Sequence, residues 1–156
     1  MGAVGRWAEY RHRACRLGTP VQGFNDSPNV GLQFDPSHLQ WKFMDPIQAA
    51  RDFADKIYEI HLKDTEILWH IVRRGGIQPV NNAEWWRFRF PGNGCVDWKG
   101  LFSALAEAGY SGAMNIENED EFYYPAHSHG DFTEQYKRGF HVAHELLKTL
   151  VPSVTA

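Results

Sequence analysis

Residues 57–64 read IYEIHLKD, and this stretch decides the fold class. Its first six residues, IYEIHL, are mostly apolar and β-branched or aromatic, which predicts a strand inside a sheet. The polar residues His61 and Lys63 follow at the C-terminal end of that strand. Two similar runs flank it along the chain: VGLQF at 30–34 is followed by DPSH, and AMNI at 113–116 is followed by ENED. We therefore expect three short strands, each ending in polar side chains.

Helix-like segments alternate with these strands, and this alternation predicts an α/β fold. The pair Asp45-Pro46 is typical of a helix N-cap followed by the first helical residue, so a helix is expected over 46–55. Asp97 has the same capping role before a helix over 98–108, which Gly109 ends. Further predicted elements are a helix over 5–17, a turn-rich connector over 22–28, a short helix over 65–73 and a closing helix over 132–150.

Each of the three strand-like segments ends in a side chain that can bind a metal ion, namely Asp35, His61 and Glu117. Because the C-terminal ends of parallel strands lie on one face of a sheet or barrel, these residues are expected to converge. Carboxylate and imidazole donors suit Mn²⁺, Mg²⁺, Fe²⁺, Co²⁺ or Zn²⁺. Such an ion would polarise the carbonyl and adjacent hydroxyl of a sugar. Asp35 stands before a proline, so capping of a turn is the alternative for that residue alone.

The segments VGLQFDPSHL, IYEIHLKD and PGNGCVDWKGLFSALAEAGYSGAMNIENED resemble the C-terminal part of the sugar phosphate isomerase/epimerase family. The xylose isomerase-like TIM barrel of that family is shared with endonuclease IV. The resemblance covers about residues 28–150 and implies a partial (β/α) TIM barrel, about the last three βα units, within a single incomplete domain over 1–156. It also implies one divalent metal ion (Mn, Mg, Co, Fe or Zn), with Asp35, His61 and Glu117 as its ligands.

The same resemblance implies roles for several side chains. Glu117 would also be one member of a catalytic carboxylate pair, and His38 would contact substrate oxygens. Lys63 stands where a polar contact to the substrate is expected, and Arg87 or Arg89 would meet a phosphate or carboxylate. The implied reaction is proton transfer next to the carbonyl of a sugar or sugar phosphate.

One residue of the family pattern is missing. Members carry a glutamate on the strand before the D-P-S-H strand, as a fourth ligand and as the other half of the acid–base pair. Upstream of Val30 the only glutamate is Glu9, which no strand-like segment precedes. A TIM barrel ordinarily needs at least ~200 residues, and three strands leave open sheet edges and half a barrel interior facing water. These features predict a homo-oligomer, a dimer or higher, that completes or covers the sheet.

Because a catalytic glutamate is missing, activity stays open at this point. A catalytically inactive oligomeric remnant of the fold is one alternative, and an endonuclease IV-like phosphodiesterase, which needs several metal ions and many His ligands, is another. The run WWRFRF at 85–90 is expected to form a substrate lid or a subunit contact. Stacking of single-stranded bases on it is the weaker alternative.

Composition limits the partners and the location. The formal net charge of −3 gives no cationic field for nucleic acid or an anionic membrane. No apolar run approaches the ~20 residues that span a bilayer, and the N-terminal residues MGAVGRWAEYRHR lack the apolar core of a secretory signal. The two cysteines, Cys15 and Cys95, form no CxxC motif. A cytoplasmic protein that binds a small molecule is therefore expected, with neither a nucleic-acid nor a membrane partner.

Overall fold

The computed structural model of the chain describes residues 30–79, 82–123 and 130–150. The chain divides into two units, Met1–Leu32 and Gln33–Ala156. Of the first unit only residues 30–32 are described, so the predicted helix over 5–17 and connector over 22–28 lie outside the described residues. The second unit carries all of the candidate site residues.

Strands and helices alternate through most of the described chain. Their order is β1 (Leu32–Phe34), α1 (Pro36–Gln40), α2 (Pro46–Phe53), a 3₁₀ turn (Ala54–Lys56), β2 (Ile57–Leu62), β3 (Asp64–Ile67), α3 (Trp69–Gly75), β4 (Trp86–Arg89), α4 (Trp98–Glu107), β5 (Ala113–Ile116) and α5 (Thr133–Leu150). Strands β2 and β5 have the predicted bounds, whereas β1 is shorter than predicted.

Strands β1, β2 and β5 form one sheet in that order. Strand β2 pairs in parallel with β5, with His61 opposite Asn115 and Leu62 opposite Ile116. A parallel pair that is distant in sequence requires a crossover connection, and helix α4 lies in that connection. The predicted α/β class and partial TIM barrel are thus confirmed, and the described residues form no closed barrel.

The helix starts follow from the capping residues seen in the sequence. Oδ1 of Asp45 accepts hydrogen bonds from the backbone N–H groups of Ile47 at 2.9 Å and Gln48 at 3.1 Å, and so begins α2. Asp97 does the same for α4 through the N–H of Gly100 at 2.9 Å. After α4, Gly109 has a φ of +72°, a left-handed conformation that glycine adopts without steric cost.

The two faces of the sheet differ in polarity because side chains alternate along each strand. Ile60 and Leu62 lie in the core, which is filled from the helices by apolar side chains including Ala50, Leu101, Phe102, Leu105 and Leu147. On the other face, Gln33 and Asn115 donate hydrogen bonds to the carboxylate of Glu59. The face that corresponds to a barrel interior is therefore polar here, and it tolerates water better than an apolar face would.

A second, two-stranded sheet corrects the helix predicted over 65–73. Strand β3 pairs antiparallel with β4, with Asp64 opposite Arg89 and Thr65 opposite Phe88. The helix predicted over 65–73 is wrong in its first part, because residues 65–67 belong to β3 and the helix begins at Trp69. Most of the WWRFRF run forms strand β4.

Candidate metal centre

Three of the predicted site residues converge at one end of the larger sheet. Asp35 follows β1, His61 lies near the end of β2, and Glu117 follows β5. Each offers one ligand atom, and these three atoms lie within 4.8 Å of one another. Their side chains are 11%, 22% and 33% exposed, respectively. The convergence expected from parallel strands is thus present in the structure.

Asp35 serves the local fold and the site at the same time. Its Oδ1 accepts hydrogen bonds from the backbone N–H of Ser37 at 2.9 Å and from the Ser37 hydroxyl at 2.6 Å, which makes Asp35 the N-cap of α1. Its Oδ2 lies 3.4 Å from Nε2 of His38 and 3.2 Å from Nζ of Lys63. Capping fixes the carboxylate, so the turn-cap and ligand interpretations are compatible.

His61 and Glu117 contact each other directly, with 2.7 Å between Nδ1 of the imidazole and Oε2 of the carboxylate. The other ring nitrogen, Nε2, lies 2.7 Å from the side-chain amide nitrogen of Gln33. Since an amide nitrogen is a donor, Nε2 accepts in this arrangement and Nδ1–H donates to Glu117. The imidazole is held on both sides, which fixes the direction of its ring nitrogens.

Lys63 places a buried positive charge among three carboxylates. Its side chain is 2% exposed, and Nζ lies 3.0 Å from Oε2 of Glu117 and 3.2 Å from Oδ2 of Asp35. Nζ also donates to Oε2 of Glu119 and lies 4.2 Å from the ring centre of Phe88. Burial by itself lowers the pKa of Lys63, but the hydrogen bonds to Glu119 and Glu117 and the charge of Asp35 outweigh it and raise the pKa.

The Glu117 carboxylate is held in its charged form. Burial alone raises its pKa, whereas the hydrogen bond and charge of Lys63, followed by those of His61, lower it. The net result is a pKa below the usual value for a glutamate. Glu117 is therefore a carboxylate at neutral pH and can accept a proton or bind a cation.

The donor set fits a divalent metal ion. Two carboxylates and one imidazole supply hard and borderline donor atoms with net negative charge, and three protein ligands leave positions for water or a substrate oxygen. Lys63 compensates part of that negative charge, because two of its three carboxylate partners are the candidate ligands Asp35 and Glu117. Glu119, the third partner, lies outside the group of ligand atoms within 4.8 Å.

The other predicted site residues divide into two groups. His38 stands at the edge of the centre, with a side chain 48% exposed and its ring 5.0 Å from that of Phe88. Arg87 and Arg89 instead pair with acidic residues: Nε of Arg87 donates to Glu66 at 2.8 Å, and Arg89 lies 3.5 Å from the same carboxylate. Arg89 also lies 3.3 Å from Asp120. The structure thus brings His38 and Lys63 to the centre but leaves both arginines in ion pairs.

Two residues at the centre were missed in the sequence. Gln33, which contacts His61, lies two positions before Asp35, and period-two alternation along β1 is the signal that points to it. Phe88, which packs on Lys63 and His38, lies in a run where aromatic and basic residues alternate. That alternation is typical of a strand with one aromatic face, and the lid or subunit contact expected of this run stays a prediction.

Comparison with known families supports the same fold. A family model described as the xylose isomerase-like TIM barrel matches residues 16–142. Among curated proteins, the uncharacterized protein YfiH of Bacillus subtilis is 37% identical over 102 residues, which cover 60% of this chain and 32% of YfiH. The inosose dehydratase of Clostridium tetani is 33% identical over 97 residues, covering 62% of this chain and 33% of that protein. The chain therefore spans about a third of the length of these relatives.

Solved structures give a consistent result. A xylose isomerase domain protein from Planctomyces limnophilus has a TM-score of 0.58 and 31% sequence identity, over 80% of this chain and 39% of that one. A crystal structure of the IOLI protein with a bound zinc atom has a TM-score of 0.55 and 22% identity, over 78% of this chain and 39% of that one. At that identity the second similarity shows the fold alone.

Proposed function

Because this chain belongs to the family of xylose isomerase-like TIM barrels, we propose that it acts as a sugar isomerase or epimerase that transfers a proton next to a sugar carbonyl. The observation that carries the proposal is the convergence of Asp35, His61 and Glu117 within 4.8 Å. These donors lie near or directly after the ends of three different strands, and such convergence at the C-terminal ends of strands is typical of TIM-barrel active sites.

Asp35, His61 and Glu117 would hold a divalent ion, and Mn²⁺, Mg²⁺, Co²⁺, Fe²⁺ and Zn²⁺ all suit this donor set. When bound, the ion would polarise the carbonyl and neighbouring hydroxyl of the sugar and make the intervening C–H more acidic. The zinc in the IOLI structure makes Zn²⁺ one of the first ions to test.

The chain's own residues supply the base and its orientation. Glu117 is ionised, and its side chain is 33% exposed, so a substrate proton can reach it. His61 and Lys63 both contact Oε2 of Glu117, which restrains this oxygen before the substrate arrives. His38, at the exposed edge of the centre, would contact substrate oxygens.

The substrate class proposed here is a sugar or sugar phosphate. Arg87 and Arg89 are not assigned to it, because both are engaged by Glu66. We also propose that copies of the chain associate, since the described strands form an open sheet. No helix in the described ranges has the length and apolar character to span a membrane. We keep the cytoplasm as the proposed location, because Cys95 is a free thiol.

A dehydration is the second candidate reaction. Several relatives are named inosose dehydratase, including those of Clostridium tetani and Geobacillus kaustophilus. Elimination of water next to a carbonyl begins with removal of the same proton that an epimerisation removes. Product analysis of the same reaction mixture separates the two, because only a dehydration forms a product lighter by one water.

Proton exchange is the experiment that tests the proposal. Metal-loaded protein is incubated in D₂O with a panel of ketoses, and deuterium next to the carbonyl is measured by NMR. We expect exchange that is lost in E117Q and kept in E134Q, a matched change at an exposed glutamate on α5. Metal-loaded, folded protein that exchanges no proton contradicts the proposal and favours the inactive remnant. Cleavage of abasic DNA instead of exchange would favour the endonuclease IV-like alternative.

A further inference from the structure

An open groove of about 660 Å³ adjoins the candidate metal centre. We call it the β4 groove and define it by six of the residues that line it: Trp85, Trp86, Arg87, Phe88, Glu119 and Glu121. Two of these residues also belong to the surroundings of Lys63. Glu119 accepts a hydrogen bond from Nζ of Lys63, and the ring of Phe88 lies 4.2 Å from the same nitrogen. Only the side chain of Lys63 therefore separates Glu119 of the groove from Asp35 and Glu117.

Aromatic rings form one part of the groove, and they are held in place by stacking. The Trp86 ring stacks on Trp41 with centroids 4.7 Å apart and an interplanar angle of 3°, and it meets Phe88 edge to face at 4.8 Å. Trp85 stacks on Phe43 at 5.7 Å and 8°. Large aromatic surfaces of this kind, with few rotamers to fix, bind the C–H surfaces of ligands at low entropic cost.

The charged groups of the groove do not provide a phosphate site. Among the described residues that line it, Arg87 alone is cationic, and its guanidinium donates to Glu66 at 2.8 Å. Lys63, next to the groove, is 2% exposed and is surrounded by carboxylates. A phosphate would need uncommitted Arg, Lys or backbone N–H donors, and it would instead approach the carboxylates of Glu119 and Glu121. The negative charges of a phosphate and of these carboxylates would repel each other.

Carboxylates beside aromatic rings suit an uncharged polyhydroxylated ligand. The hydroxyl groups of a sugar donate hydrogen bonds, and an ionised carboxylate can accept several such bonds. The C–H faces of the same ligand pack on aromatic rings. Glu119 is 46% exposed, so it can accept from a ligand while it accepts from Lys63.

We infer that the β4 groove binds the part of the substrate that lies away from the metal and selects an unphosphorylated sugar or polyol over its phosphate ester. This inference rests on the proposed function, because it places the reacting carbonyl at Asp35, His61 and Glu117. Glu119 and Glu121 are the specificity-determining residues, Glu119 by accepting hydroxyl protons and Glu121 by repelling a phosphate.

Paired ligands test this selection. The affinity of the metal-loaded full-length chain is measured by calorimetry for ketoses and for their terminal monophosphates, for example D-fructose, D-xylulose and D-ribulose. Within each pair we expect the unphosphorylated sugar to bind at least about tenfold more tightly, which corresponds to about 1.4 kcal/mol. Equal or tighter binding of the phosphates overturns the inference, and so does the failure of every ketose to bind.

A charge reversal at Glu121 tests the same selection through a change in ligand preference. E121R places an uncommitted guanidinium at the groove and is expected to shift the preference towards the phosphate by about tenfold. The matched variant E134R, on α5 and outside the groove lining, is expected to leave the preference unchanged. An unchanged preference in E121R counts against a role for Glu121.

Ligand preference tests the groove, whereas proton exchange tests the proposed reaction, so the two measurements can fail separately. A protein that exchanges the proton next to the carbonyl but prefers phosphates keeps the proposed function and loses the inference. A protein that prefers unphosphorylated sugars in every pair but exchanges no proton keeps the inference for the groove and loses the proposed reaction.

Discussion

The side-chain nitrogen of Lys63 lies 3.0 Å from Oε2 of Glu117, the carboxylate oxygen that also contacts Nδ1 of His61. Lys63 is almost fully buried, and Asp35 and Glu119 complete its surroundings. An ammonium group thus compensates the same carboxylates that form the candidate metal centre. In the metal-free protein this charge keeps neighbouring carboxylates from repelling one another.

Replacement of Lys63 by methionine tests that compensation. K63M keeps the apolar stem but leaves the carboxylates of Asp35, Glu117 and Glu119 without their shared cation, so we expect a loss of about 2 kcal/mol in the free energy of unfolding with EDTA present. Added Zn²⁺ or Mn²⁺ should restore stability in K63M more than it raises that of the wild type. Urea unfolding measures both effects. K148M, at an exposed lysine paired with Glu145, is the control, and an equal loss in both variants contradicts the account.

Asp64 is expected to stabilise the loop that leads into α4. Its carboxylate is fully buried and accepts four hydrogen bonds, from the N–H groups of Thr65, Gly92 and Val96 and from the indole of Trp98, at 2.8–3.0 Å. An asparagine has one acceptor oxygen and turns an NH₂ group towards these donors, so D64N should lose about 3 kcal/mol of unfolding free energy.

Thermal unfolding of D64N measures this effect, and D55N, at an exposed aspartate of the 3₁₀ turn, is the control. G94A supplies an independent variant, because a Cβ at Gly94 would lie 2.2 Å from Oδ1 of Asp64. If D64N and G94A are both as stable as the wild type, Asp64 does not organise this loop.

Because Glu66 pairs with Arg87, we expect the free energy of unfolding to depend on pH. The hydrogen bond from Arg87 outweighs the opposing effect of burial and holds the pKa of Glu66 below its usual value. Because the folded state then binds the proton less readily than the unfolded state, the pair stabilises the fold above the unfolded-state pKa of Glu66. That contribution is lost as the pH falls through the folded-state pKa.

E66Q should therefore lower the free energy of unfolding by about 0.5 kcal/mol at neutral pH, and the difference from the wild type should disappear in acid. Urea titrations at both pH values check the sign. A difference that grows as the pH falls contradicts the assignment.

Helix α5 offers a packing test. Gly139 is buried, and a Cβ there would lie 2.2 Å from Cε2 of Phe90, so G139A forces the helix or the ring to move. We expect a loss of about 1–3 kcal/mol in unfolding free energy. G130A, at an exposed glycine whose Cβ would lie 3.3 Å from the Phe132 ring, should change stability much less. Comparable losses in both variants contradict this packing.

Local signals in the sequence account for much of the fold. The bounds of β2 and β5 agree with prediction because their apolar residues end abruptly at polar ones, and Asp45 and Asp97 marked two helix starts through their capping side chains. The helix expected over 65–73 failed in its first part, because antiparallel pairing with β4, a segment distant in sequence, overrides the propensity of residues 65–67.

The sequence predicted which candidate ligands converge at the site, but it did not predict which side chains pair with the two arginines or pack on Lys63. Asp35, His61 and Glu117 were predicted to converge because the ends of parallel strands share a face. The engagement of Arg87 and Arg89 by Glu66 was not predictable, since it follows from the β3–β4 register. The same register places Phe88 on Lys63.

Direct titration of metal ions into the metal-stripped protein tests whether Asp35, His61 and Glu117 form a metal centre. We expect uptake of one Zn²⁺ or Mn²⁺ ion per chain, weakened about a hundredfold or more in H61A and E117Q but not in E134Q. Circular dichroism of the same samples confirms that the variants remain folded. Folded wild-type protein that binds no ion, or equal affinity in H61A, E117Q and the wild type, would contradict the claim.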